Sequence, residues 1–131
     1  MNQQKVVVES PLKGDFATNR LYATWCCRHL HESGFAPIAS HLLAPWFLDD
    51  REEADRAAGI SMPWFWLPDA PHFFFVDLGL SSGMVAARLR CTELGIPISE
   101  DCRLPALLWE AFRRGEQPPH TPGFEVHAAS G

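Results

Sequence analysis

At 131 residues the chain has the length of one domain, and its composition, 47% hydrophobic and 21% charged, suits a packed core and excludes the disordered and fibrous classes. A net charge of -5 with eleven scattered basic residues argues against a nucleic-acid polymer as partner, because phosphate backbones are held by clustered Lys and Arg. The four cysteines, Cys26, Cys27, Cys91 and Cys102, form no CxxC pair and follow no secretory leader. A cytoplasmic protein with reduced thiols, no structural metal and no cofactor is therefore expected. No apolar run is long enough to span a bilayer, so no membrane partner is expected either.

Lys5-Val6-Val7-Val8 is a continuous β-branched run, which predicts a strand buried on both faces of a parallel sheet. Leu12 to Asp15 reads as loop, and from about Thr18 the residues Leu21, Tyr22, Trp25, Cys26 and His29 recur at helical spacing up to a Gly34 stop. Pro37 to Ser40 predicts a second short strand, followed by a loop carrying His41, Pro45, Trp46, Asp49 and Asp50. Glu52 to Trp66 reads as a helix that Pro63 should kink or interrupt.

His72 to Val76 predicts a third strand, Asp77 to Gly83 a turn, and Met84 to Leu94 a helix closed by Gly95. Ile96-Pro97-Ile98 gives a fourth strand, and Leu104 to Arg114 a last amphipathic helix with Leu104, Leu107, Leu108, Ala111 and Phe112 on its inner face. The expected organisation is one domain over 1–114 and a Pro-rich, extended or mobile tail over 115–131. Alternating strands and helices imply right-handed crossovers and an α/β, flavodoxin-like (Rossmann-like) parallel sheet of order 2-1-3-4 with helices on both faces. A ligand then belongs at the carboxyl ends of strands one and three, where the winding reverses.

Two segments with small polar residues meet at that edge. The first is Ser10-Pro11 with Gly14, Asp15 and Asn19, the second Ser81-Ser82-Gly83-Met84, and each opens a helix whose N-terminus attracts anions or sugar hydroxyls. Asp15 or Thr18 is equally suited to capping its helix. His41 stands just past strand two, as a phosphate donor or as a packing residue, whereas His29, His31 and His72 receive no role. Trp46, Phe47, Trp64, Phe65 and Trp66 offer a surface for stacking a base, or fill the core or a dimer interface.

Taken as a set, Ser10-Pro11-x-x-Gly14-Asp15 with Asn19, Ser40-His41-Leu42-Leu43 with Phe47-Leu48-Asp49-Asp50, Gly59-Ile60-x-Met62, and Asp77-Leu78-Gly79-x-Ser81-x-Gly83-Met84 with Leu94-Gly95-Ile96-Pro97 resemble an uncharacterised bacterial and phage domain family related to the nucleoside 2-deoxyribosyltransferases. The resemblance spans about residues 5 to 98. It implies a flavodoxin-like fold, a homodimer or higher homo-oligomer, a nucleoside or nucleotide ligand, and cleavage or exchange of an N-glycosidic bond by a glutamate nucleophile one turn into the helix after the Ser-x-Gly segment. In this chain that position is Ala87.

Three readings follow from the departure at Ala87. In the first, the protein binds a nucleotide or nucleoside without turnover. In the second it is an N-glycosidase or deoxyribosyltransferase in which Glu9 and Asp77, at adjacent strand tips roughly 5 Å apart, serve as the carboxylates; capping of local turns is the other use for both. In the third it is a protein-interaction module with a vestigial pocket.

Overall fold

The computed structural model describes residues 3–49 and 51–119. Four strands, β1 (Gln4–Glu9), β2 (Phe35–Ile38), β3 (His72–Phe75) and β4 (Ile98–Cys102), form an all-parallel sheet in the order β2-β1-β3-β4, as the alternation of strand and helix implies. Among the described residues five helices connect or flank them: α1 (Phe16–Glu32), α2 (Ser40–Leu43), α3 (Glu53–Trp66), α4 (Ser82–Leu94) and α5 (Ala106–Arg113). Among the described residues no helix is long and apolar enough to cross a membrane.

Register decides which side chains share a face. β1 is the inner strand, and its Val7, Val8 and Glu9 pair with His72, Phe73 and Phe74 of β3. Because side chains alternate along a strand, Val6, Val8 and Phe75 reach one side, where they form the main core with Tyr22, Trp25, Cys26 and Leu30 of α1 and Ala111 and Phe112 of α5. Val7, Glu9, His72 and Phe74 face the other side, under α3 and α4, where Met84 and Cys91 are buried.

Several expected boundaries shift, each for a physical reason. The second strand begins at Phe35, two residues early, and ends at Ile38; Ser40, placed at its end by the sequence, instead opens α2, and a 3₁₀ turn over Ala44–Trp46 continues it where loop was expected. Pro37 is tolerated in β2 because this is an edge strand. Pro63 does not interrupt α3, although it removes the helical bond that the Gly59 carbonyl would accept. Gly59 is where α3 meets the 3₁₀ turn, since an added Cβ there would lie 2.9 Å from the Ala44 Cβ.

The fourth strand is Ile98–Cys102 rather than 96–98. Its polar Ser99-Glu100-Asp101 stretch hides the strand from a hydrophobicity reading, yet charges suit an outer edge that must not pair further. In the last helix Leu107 is 83% exposed, so it leaves the expected inner face, and Leu104 is buried just before the helix begins. The start of the tail is not free: Trp25 Nε1 donates to the Glu116 carbonyl at 2.8 Å, and Pro118 is buried. Residues 120–131 of the expected tail lie outside the described residues.

One polar knot ties these layers together. The Tyr22 hydroxyl donates to Asp77 Oδ2 at 2.6 Å and accepts from the Asp77 backbone N–H at 3.0 Å, while Asp77 Oδ2 also accepts from the Leu104 N–H at 3.0 Å. Burial, with Cys26 and Asp77 adding to it, pushes the Tyr22 hydroxyl well above its ordinary value, so it stays protonated as a donor. Tyr22→Phe should lower unfolding stability by about 2 kcal/mol, read as a reduced denaturation midpoint at unchanged slope, because it strips a partly buried carboxylate of one donor and the Asp77 N–H of its acceptor, and frees the end of β3 from α1.

Candidate functional site

The carboxyl end of β1 emerges between α2 and α4 and closes a pocket of about 80 Å³. Glu9 and Ser10 form one wall, Ser40 and His41 a second, and Ser81, Gly83, Met84 and Ala87 of the α4 start a third, with Trp64 and Ile60 of α3 beside them. The size decides what fits. Ligand pockets begin at roughly 300 Å³, so this one seats a single ring-sized moiety and leaves the rest of any ligand outside. A wider, open depression of about 420 Å³ lies on the β4 side, where Arg88 pairs with Glu100 at 3.2 Å and Arg103 with Asp101 at 3.0 Å.

Of the residues expected at the site, Glu9, Ser10, His41, Ser81, Gly83 and Met84 come together in this pocket. The others have local work. Asp15 caps α1, accepting from the Thr18 N–H at 3.1 Å and the Thr18 hydroxyl at 2.7 Å, and these bonds hold its carboxyl below the ordinary range. Asn19 is buried and clamps the preceding loop by donating to the Lys13 carbonyl at 2.8 Å. Gly14 supplies a positive φ of 102° to that loop. Pro11 is buried outside the pocket lining, and Ser82 is exposed outside it.

Asp77 does not face Glu9. Glu9 pairs in register with Phe74, so Asp77 lies three residues further along, and its carboxylate is held by Tyr22 and Leu104 on the α1 and α5 side. The two carboxylates therefore point to opposite faces of the sheet, and the expected pair at adjacent strand tips does not form.

Glu9 has instead a partner that the sequence reading passed over. His72, fully buried at the start of β3, brings Nδ1 to 2.7 Å from Glu9 Oε2. An ionised carboxylate only accepts, so Nδ1 is the donor. The imidazole lies against Trp64 with ring centroids 4.5 Å apart and planes at 27°, and the Arg90 guanidinium lies 4.4 Å from the Trp64 centroid. Among the described residues His72 Nε2 has no hydrogen-bond partner. The available signal was parity: a histidine alternating with Phe74 in a strand expected to be buried must itself be inside.

His41 is also buried, and its Nε2 lies 3.0 Å from Ser10 Oγ. Burial, with the positive Arg20 adding to it, lowers its pKa from 6.5 to about 4. The ring is neutral at neutral pH and offers a phosphate no cationic attraction. Of the aromatic cluster, Trp64 is partly covered, whereas Trp46, Phe47, Phe65 and Trp66 are exposed and do not fill the core. All four cysteines are free, and burial raises Cys27 to about 12 and Cys91 to about 11.

Residues 4–101 match the family described as Domain of unknown function (DUF7768). The chain belongs to this family. No curated protein and no solved structure matches it. The DUF7768 segment ends within β4, so every pocket residue falls inside it, while α5 and the docked start of the tail fall outside.

The depressed pKa of His41 has a sign that can be measured. Above pH 6.5 the ring is neutral in both the folded and the unfolded chain; between 6.5 and 4 only the unfolded chain takes up the proton, so stability falls as pH falls through that window. The loss should approach about 3 kcal/mol, and His41→Gln should flatten this part of the stability–pH profile.

Proposed function

We propose that the protein binds a nucleoside or nucleotide through its sugar, as a DUF7768 relative of the nucleoside 2-deoxyribosyltransferase-like proteins that it resembles, and that it does so without turnover. The observation that supports this reading is the convergence of Glu9, Ser10, His41 and the α4 start on one ring-sized pocket at the carboxyl edge of the sheet. Hydroxyls from Ser10, Ser40 and Ser81 surround it, together with the apolar Ile60, Met84 and Ala87, which suits a pentose with its polar rim and apolar face. The base would then lie outside the pocket. Ala87 lines the pocket and carries no nucleophile.

A second reading is favoured by one fact, that Glu9 lines the same pocket as Ala87. In it the Glu9 carboxylate attacks the anomeric carbon, the C–N bond breaks with its electron pair leaving on the base, which takes a proton, and water then hydrolyses the glycosyl ester and restores Glu9. Asp77 has no part in this route.

A panel of nucleosides, deoxynucleosides and their monophosphates separates the two. Binding without release of free base is the expected result, with the melting temperature raised by roughly 10 °C for ligand at one hundred times its Kd. Ala87→Phe, which fills the pocket, should remove the shift. If free base appears and Glu9→Gln abolishes its release, the enzymatic reading replaces the binding one; if no compound shifts melting, both are wrong.

A further inference from the structure

His72 is an expensive residue for its position. It occupies a fully buried site in the strand His72-Phe73-Phe74-Phe75, opposite Val7, where an apolar side chain would pack without desolvating two ring nitrogens. One of those nitrogens is unpartnered among the described residues and the other serves Glu9 alone. Buried polar groups that are half satisfied in this way call for a reason outside packing. The stack on Trp64 fixes the plane of the ring, so the Nδ1–H direction is set before any ligand arrives.

The consequence falls on Glu9. Its side chain is 20% exposed and lines the pocket; Oε2 is taken by His72, and no hydrogen bond of Oε1 occurs among the described residues. A carboxylate oxygen presented to a pocket calls for a donor in the occupant, either a hydroxyl or a cation. The surroundings disfavour a cation: Arg20 acts electrostatically on His41 in the pocket wall, Arg56 lines the adjoining small cavity with Ser40 and His41, and the start of α4 presents a positive dipole end. The same positive groups welcome an anionic substituent on a hydroxylated ring.

We infer that Glu9 is the residue that recognises a sugar hydroxyl in this pocket, that His72 is its positioning residue, and that the ligand class is a pentose phosphate moiety. This rests on the sugar-binding reading given above and assigns Glu9 to recognition.

The probe is ribose 5-phosphate, titrated calorimetrically into the full chain beside a set of nucleosides and nucleotides. Wild-type protein should bind it, and Glu9→Gln and His72→Phe should each weaken that binding by about tenfold to a hundredfold, as expected for loss or misplacement of a charge-assisted hydrogen bond. His72→Asn, which keeps an N–H near Nδ1, should stay within severalfold of wild type. His72→Phe should melt no lower than wild type, which separates positioning from a merely structural role. If Glu9→Gln and His72→Phe both bind as wild type does while nucleosides still bind, the inference fails and the sugar-binding function stands. If ribose 5-phosphate binds with the expected variant pattern but no nucleoside or nucleotide does, the inference stands and the nucleoside reading fails. If nothing binds to wild type, both fail.

Discussion

The register of β1 against β3 is the constraint from which the rest of the molecule follows. With Val7 opposite His72 and Glu9 opposite Phe74, the period of two sends Glu9 and His72 to the α3 and α4 side and leaves Val8 and Phe75 to the core under α1 and α5. A slip of β1 by one residue would turn its valines over relative to the phenylalanines of β3 and bring the Glu9 carboxylate into the apolar core. The large aromatic and aliphatic burial on the α1 side thus holds in place a polar arrangement on the opposite side that contributes little stability itself.

The polar groups at this edge of the sheet are divided by the same rule. Asp77, Tyr22 and Leu104 form a closed hydrogen-bonded unit on the α1 and α5 side, and every bond in it has a structural use. Glu9, Ser10 and His41 line the pocket on the other side, with His72 buried behind Glu9. One carboxylate is consumed by the fold and the other is offered to the pocket, although both stand at or just beyond the ends of neighbouring strands. Burial reinforces the division: a neutral His41 and a protonated Tyr22 each keep the role that local hydrogen bonding assigns.

The alternation of strands and helices was legible in the sequence, and the order 2-1-3-4 followed from it by the rules of right-handed crossovers. Val6-Val7-Val8 and Phe73-Phe74-Phe75 read as buried strands, and Gly34 and Gly95 end their helices with the positive φ that a glycine tolerates at no steric cost. What was not legible is whatever depends on register. The tips of β1 and β3 look equivalent in sequence, and only the offset of three residues between Phe74, the partner of Glu9, and Asp77 shows that their carboxylates diverge. The strand β4 was obscured because an edge strand carries Glu100 and Asp101 where a core strand carries apolar residues. Asn19 and Asp15 looked like ligand contacts because a loop clamp and a helix cap use the same residue types as a binding loop.

Ala87 and the Glu9–His72 pair are best understood together. Both line the pocket of about 80 Å³ or stand directly behind it. The helix wall carries the methyl group of Ala87 and the β1 wall carries Glu9, held from behind by a histidine that the core would do better without. A carboxylate on the β1 wall approaches a ring bound in the pocket from a different direction than one on the helix wall would, and its hydrogen bond to His72 restrains it further. That geometry suits a hydroxyl acceptor at the rim of the ring more readily than a nucleophile aimed at its anomeric carbon, and this is the physical ground on which recognition is proposed before turnover.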